Sequence, residues 1–243
     1  MLKNQDINSA FDQDVERFGS YQYTKGTRYS TIIANERYTQ MILSSVDFTG
    51  KSVVDIGSGD GTYTAHLAKR SNAASILGIE PAPKAVERAR AVYGNIFSNL
   101  NFVCGYPDIL IKQKKRFDIA VYRGVIHHMA SPRDELSKAF LLADTLIVLE
   151  PNGLNPLMKI VEKLSSYHKQ HQERSFLHYS ISRWITEGGG VIKKICFFGM
   201  VPYFCPYIIA IAGKFIEPFV ESLPVLRSIC CGQYLVVATR GGG

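Results

Sequence analysis

An α/β domain is what this sequence predicts, with a mostly parallel sheet and helices on both of its faces. Three observations carry that expectation. Between Lys51 and Glu150 short apolar runs alternate with amphipathic helical stretches, the pattern of a sheet covered on both sides. A glycine-rich turn joins the first of these runs to the first of these helices. The chain of 243 residues is 46% hydrophobic and 20% charged, which suits a globular core that closes without disulfides.

The elements follow in order. Residues 1–48 read as a mostly helical cap with an aromatic turn around Tyr21, Tyr23 and Tyr29. A core at 49–150 holds strands at Ser52–Ile56, Ser75–Glu80, Leu100–Cys104, 117–122 and 145–150. Helices between them are expected at Thr62–Arg70, Pro83–Tyr93 and 132–142. Pro83 suits a first helical position, where its missing N–H costs nothing. Beyond Glu150 helices are expected at 156–168 and 181–187, and strands at 191–198 and 233–239. Two insertions, 151–190 and 199–231, interrupt this last part, all within one domain spanning 1–243.

Composition excludes disorder, collagen, coiled coil and a polytopic membrane protein. The net charge is +7, and it is uneven: residues 1–150 carry 18 basic and 16 acidic side chains, residues 151–243 carry 10 and 5. A basic, apolar C-terminal third points to an anionic partner or a membrane surface, or to a plain solvated face. Five cysteines without a C-x-x-C pair fit a reducing compartment. Residues 1–14 lack the apolar stretch of a secretory signal. The expected location is cytoplasmic, with the inner membrane face as the place for any peripheral contact. Residues 195–213 are uncharged, but Gly199, Pro202 and Pro206 interrupt them, which disfavours a bilayer span.

The stretch from Val53 to Thr62 reads Val-Val-Asp-Ile-Gly-Ser-Gly-Asp-Gly-Thr. Glycines allow a sharp turn and a close ligand, and the helix start behind them favours a negative group. The spacing is not the G-x-G-x-x-G of a dinucleotide site, since position 62 is Thr62. An NAD-dependent dehydrogenase is excluded on that ground. Asp55, Gly57, Gly59 and Gly61 form D-x-G-x-G-x-G, which resembles motif I of class I S-adenosylmethionine-dependent methyltransferases. Glu80, ending the second strand before Pro81, is the second landmark. Phe117 to Tyr122 followed by Val125-Ile126-His127-His128-Met129 resembles the fourth strand and following loop of that superfamily.

That resemblance implies a seven-stranded class I methyltransferase fold and S-adenosylmethionine as cofactor. It implies Glu80 as acceptor of the ribose hydroxyls, and Asp55, Gly57, Gly59, Gly61, Pro81, Arg123 and Tyr21 as further cofactor residues. Relatives often carry Gly-Asp after the third strand; here Cys104-Gly105-Tyr106-Pro107-Asp108 stands there. Either Asp108 takes the adenine contact from a shifted position or Tyr106 stacks on the ring. Tyr23, Tyr29 and Arg37 are candidates to close over the methionine end.

The expected activity is methyl transfer to a small-molecule or lipid-like acceptor, at oxygen. A base helps an oxygen nucleophile lose its proton, and His127 and His128 stand at the edge of the expected site as catalytic candidates. Proximity alone is the alternative. Glu150 and Asn152 are candidates to orient an acceptor hydroxyl and Asn155 to cap the next helix, with an ordinary turn as the equal alternative for this stretch. His168, His171, Glu173 and His178 have metal-ligand character but read as a polar lid face, so no metal is expected. The basic run 112–116 lies away from the expected site, and the N-P-P-Y type of motif is absent, so nucleic acid is not the expected partner. A second reading is a non-catalytic protein of this fold docked on a membrane.

In the second insertion Phe204, Ile208, Ile211, Phe215, Phe219 and Leu223 form a helical stripe. It is expected to bury on the core, leaving Tyr207, Ile209, Ile216 and Val220 off it. Lys214 and Arg227 suit anionic head groups. Glu217 and Glu221, on the same helix, weigh against strong membrane attraction. The expectation is a lid on an apolar acceptor pocket that rests on a membrane, set against an ordinary buried helix pair.

Overall fold

The structure is a computed structural model. It describes residues 12–242 apart from 14, 17–18, 22, 25–27, 165–173 and 204. His168, His171, Glu173 and Phe204 therefore lie outside the described residues.

The chain runs α1 (Tyr29–Leu43), β1 (Ser52–Ile56), α2 (Thr62–Arg70), β2 (Ser75–Glu80), α3 (Pro83–Tyr93), β3 (Leu100–Cys104), α4 (Pro107–Lys112), β4 (Phe117–Arg123), α5 (Pro132–Lys138), β5 (Ala143–Pro151), α6 (Pro156–Leu164), α7 (His178–Glu187), β6 (Gly190–Phe198), α8 (Tyr207–Ser222), α9 (Pro224–Cys230) and β7 (Gln233–Arg240). The seven strands stand in the order β3-β2-β1-β4-β5-β7-β6. Pairs from β3 to β5 are parallel, and β7 pairs antiparallel with β5 and β6.

Alternation along each strand feeds two cores. Val53, Ile119, Val121, Ile147 and Leu149 face one layer, with Ala34, Tyr38 and Ile42 of α1, Leu67 of α2 and Ala89 of α3. Val54, Ile56, Ala120, Tyr122, Leu146 and Val148 face the other, with Leu110 of α4, Leu136 of α5 and Ile181 and Ile185 of α7. Full burial of one such aliphatic side chain contributes roughly 1.5–3 kcal/mol. The order in which strands are added to the sheet reverses between β1 and β4, so a crevice opens at the carboxyl ends of these parallel strands.

Most expected elements stand where the alternation put them. Helix α4 went unseen because six residues are too few to show a helical period. The 132–142 helix ends at Lys138 and tightens into a 3-10 turn at Ala139–Leu141, a common helix ending.

The second insertion requires a correction. It forms two helices, α8 and α9, rather than one interrupted stripe, with Pro224 opening α9. The apolar stripe does not bury: Ile208 is 79% exposed, Phe215 86% and Phe219 65%. The inner face of α8 is made by Ala210, Gly213, Val220 (expected off the buried stripe, yet 7% exposed) and two acidic residues. Ala210 is fully buried, and a Cβ at Gly213 would sit 3.3 Å from Val201. Glu221 accepts the Gly199 amide at 3.0 Å and Glu217 the Met200 amide at 2.8 Å. Arg37 of α1 pairs with both carboxylates, at 3.2 Å to Glu217 and 2.5 Å to Glu221. The partly exposed Arg37 and two backbone amides draw these acids inward, and the apolar side turns out. Among the described residues no helix is long and apolar enough to cross a membrane.

Candidate active site

A cavity of about 530 Å3 lies at the carboxyl ends of the strands, within the range of small-ligand sites. Sheet order lays it out. Gly57, Ser58, Gly59, Glu80, Pro81 and Asp108 line the end above β1, β2 and α4; Leu149, Pro151 and Gln233 line the end above β5 and β7. Arg123, which ends β4, and His127 and His128, which follow it, stand between them.

The glycine loop is shaped by its backbone. Gly57 has φ +73° and Gly59 φ +54°, a region that residues with a Cβ adopt only under strain. The Tyr21 ring lies over Gly59, where a Cβ would come within 2.7 Å of it. Asp60, 1% exposed, holds that N-terminal strap. Its Oδ2 accepts the Thr24 hydroxyl at 2.5 Å and the Tyr21 amide at 3.2 Å.

Glu80 Oε2 accepts the Gly59 amide and Oε1 the Ala82 amide, each at 3.0 Å. Burial pushes its carboxyl up to about 7. A carboxylate so placed keeps lone pairs for further donors, which fits the hydroxyls of a nucleoside. Together with glycines that leave the backbone bare, it makes these residues fit S-adenosylmethionine.

Arg123, ending β4, donates to Thr39 Oγ1 at 2.8 Å and to Asn35 Oδ1 and O at 3.2 Å. Its guanidinium also lies 3.7 Å from the Tyr63 ring centre. A cation held this rigidly needs no reordering to meet an anionic group in the cavity.

His127 is 7% exposed, and its Nδ1 lies 2.6 Å from Oε2 of Glu150, which is fully buried. Glu150 Oε1 accepts the Val125 and Ile126 amides at 3.0 and 2.8 Å. A carboxylate on Nδ1 fixes the tautomer with Nε2 as the basic nitrogen. His128 stacks beside it, ring centres 4.0 Å apart. It does not cap the next helix, whose N-cap is Ser131.

Several expected roles change. Asp55 lies behind the loop, not on the cavity: its carboxylate accepts the Thr64 hydroxyl at 2.6 Å. Gly61 is also absent from the lining; a Cβ there would meet Ala89 at 2.7 Å and Phe102 at 2.8 Å. Both shape the loop rather than touch a ligand. Arg37 is committed to α8, and Tyr29 packs on Tyr207 with ring centres 4.7 Å apart. Asn152 donates to the Ser228 and Cys231 carbonyls, tying the two insertions together. Asn155 caps α6, accepting the Leu157 amide at 2.9 Å. Among the described residues no cluster suits a metal ion.

Tyr38, Met158, Tyr203 and Gln233 also line the cavity and went unseen. Each comes from a different element, so no spacing in the sequence links them. The His127–Glu150 pair was hidden for a similar reason. Parallel register sets Arg123 beside Leu149, so residues just past these two strand ends meet.

The fold is an α/β domain of the class I methyltransferase kind, with a glycine loop and a buried carboxylate lining its cavity. A family model described as a methyltransferase domain matches residues 53–153. The chain is 29% identical over 147 residues to the mitochondrial ubiquinone biosynthesis O-methyltransferase of Arabidopsis thaliana, an alignment taking in 60% of this chain and 42% of that protein. It is 23% identical over 164 residues to the ubiquinone biosynthesis O-methyltransferase of Coxiella burnetii (strain Dugway 5J108-111), covering 61% of this chain and 67% of the other. The chain thus spans less than half of the Arabidopsis protein and about two thirds of the Coxiella one. A solved SAM-dependent methyltransferase from Thermotoga maritima superposes with a TM-score of 0.67 at 15% identity, over 96% of this chain and 99% of that one. Residues 53–153 thus match a methyltransferase domain, and the fold is shared with a solved S-adenosylmethionine-dependent methyltransferase.

Proposed function

We propose that this chain methylates an oxygen of a small, lipid-like acceptor, with His127 as the base. The observation that carries this reading is the His127–Glu150 contact of 2.6 Å inside the cavity wall. S-adenosylmethionine, when bound, supplies a methyl group activated on a sulfonium.

The chain's own residues do the rest. Gly57, Gly59 and Glu80 hold the nucleoside, and Asp108 lines the same end. Arg123 offers a fixed positive charge for the carboxylate end. Tyr38, Leu149, Met158 and Tyr203 give the opposite end an apolar wall that excludes water from the nucleophile. His127 Nε2 takes the acceptor hydroxyl proton while the oxygen is methylated, and Glu150 stabilises the resulting imidazolium. The relatives named for O-methylation in ubiquinone biosynthesis support oxygen as the methylated atom.

The test supplies radiolabelled S-adenosylmethionine to the purified chain with a total lipid extract and, in parallel, with a water-soluble metabolite extract. Label is expected in the organic phase, in a product that survives mild alkali as an ether does and an ester does not. His127→Ala is expected to lower turnover roughly 10²–10⁴-fold with cofactor affinity preserved. Transfer only to water-soluble metabolites would overturn the acceptor class, and unchanged turnover in His127→Ala would overturn the base.

A further inference from the structure

We propose that the outer face of α8 and α9 is a docking surface for a bilayer bearing anionic head groups. Ile208, Phe215 and Phe219 of α8 and Val225, Leu226 and Ile229 of α9 are all exposed. Six exposed apolar side chains on two consecutive helices exceed the scatter of isolated surface residues. At 16 residues, α8 is about 24 Å long. That is short for crossing a bilayer of about 30 Å but ample for lying in its interface.

Charge decides the occupant. Residues 199–231 carry two bases, Lys214 and Arg227, and two acids, Glu217 and Glu221. Both acids turn inward onto Arg37 and the Gly199 and Met200 amides. Lys214 stays exposed and Arg227 partly so. The outer face therefore presents apolar side chains and no carboxylate from these helices, with the exposed Lys214 on the flank of α8 and the half-exposed Arg227 on α9 as the basic groups beside it, which complements an anionic lipid surface. A second copy docked through the same patch would bring Lys214 and Arg227 against their own kind with no acid there to pair them.

The surface adjoins the cavity through the loop before α8. Tyr203 in that loop lines the cavity, and its carbonyl accepts the Ser30 and Thr31 hydroxyls, each at 2.7 Å. Docking on this face holds one wall of the site against the lipid phase, where an apolar acceptor resides.

The test is flotation of the purified chain with vesicles, without cofactor or acceptor, so its outcome is independent of methyl transfer. Vesicles of phosphatidylcholine with 30% phosphatidylglycerol are compared with pure phosphatidylcholine at low and high salt. The chain is expected to float with the anionic vesicles at low salt, with the bound fraction falling in high salt. Phe215→Asp/Phe219→Asp, at exposed positions that need no repacking, is expected to weaken partitioning at least about tenfold. Lys214→Glu is expected to weaken it on anionic vesicles alone. Leu141→Asp, at an exposed apolar position elsewhere, is expected to change nothing. Two results overturn the proposal: wild type that stays unbound at low salt, and partitioning that Phe215→Asp/Phe219→Asp leaves intact. Wild type that fails to float yet dimerises in sedimentation equilibrium, with dimers lost in that variant, assigns the face to a second copy.

Discussion

Single side chains carry the chemistry, and Glu80 is the sharpest case. Its carboxylate is buried, accepts two backbone amides and sits at about 7. Ribose hydroxyls donate more strongly to the ionised form than to the neutral acid, so cofactor affinity is expected to rise as pH climbs through 7 and level off above it. Glu80→Gln is expected to weaken binding by about 1.5–3 kcal/mol at high pH and to flatten that dependence. Calorimetry between pH 6 and 8.5 checks both; a parallel pH curve in the variant sinks the ribose assignment. Glu150 acts through His127 as a positioning residue. Glu150→Gln removes the charge that stabilises the imidazolium while retaining an amide oxygen as acceptor. Turnover is expected to drop with cofactor affinity near normal, and Glu150→Asp is expected to fall further than a shorter charge alone suggests, because its oxygens no longer reach the Val125 and Ile126 amides. Single-turnover rates beside titrations separate the two effects.

At the scale of elements, the loops depend on contacts between segments far apart in the chain. Gly59 joins β1 to α2 at φ +54° beneath Tyr21. Gly59→Ala combines a left-handed backbone with a contact on the ring, at about 1–2 kcal/mol. In a chain of this size that is roughly 2–8 °C in melting temperature, together with weakened cofactor binding. Thermal unfolding with and without S-adenosylhomocysteine measures it; a variant that melts and binds like wild type contradicts the close approach. Arg37 is the corresponding clamp for α8. Arg37→Met leaves Glu217 and Glu221 facing each other, and burial already pushes the Glu217 carboxyl up. The expected cost is about 1–2 kcal/mol for a pair that is only partly exposed, felt as faster hydrogen exchange at the Gly199 and Met200 amides. Adding Glu217→Gln is expected to recover part of that protection, since it removes the repulsion.

For the whole molecule, two buried carboxyls set how stability responds to pH. Asp55 is raised to about 6 and Glu80 to about 7, both chiefly by burial. The folded state therefore holds protons that the unfolded chain has released. Their contribution is full below the ordinary carboxylate pKa and is lost as pH rises through 6 and 7. Ligand-free protein is expected to melt lower at pH 8 than at pH 5.5, and Asp55→Asn is expected to shrink that difference. Scanning calorimetry across this range tests it; a variant with an unaltered slope removes Asp55 as a cause.

Local pattern alone determined the strands of 51–150 and its helices apart from the six-residue α4, because these strands read as apolar runs between helical periods. The glycine loop and Glu80 were legible for a related reason: strand, turn and helix follow one another directly in the chain. The site beyond them was not legible. His127 meets Glu150 only because β4 and β5 lie side by side in parallel register, and Tyr38 and Tyr203 reach one cavity from α1 and a loop 165 residues further on. The second insertion shows the limit most plainly. Periodicity identified its apolar stripe, but which side of a helix faces inward is settled by what waits on the core. Arg37 and two backbone amides wait there, so Glu217 and Glu221 turned in and the apolar side turned out. A helical period measures contrast between faces; only the tertiary structure supplies the partner that gives that contrast its direction.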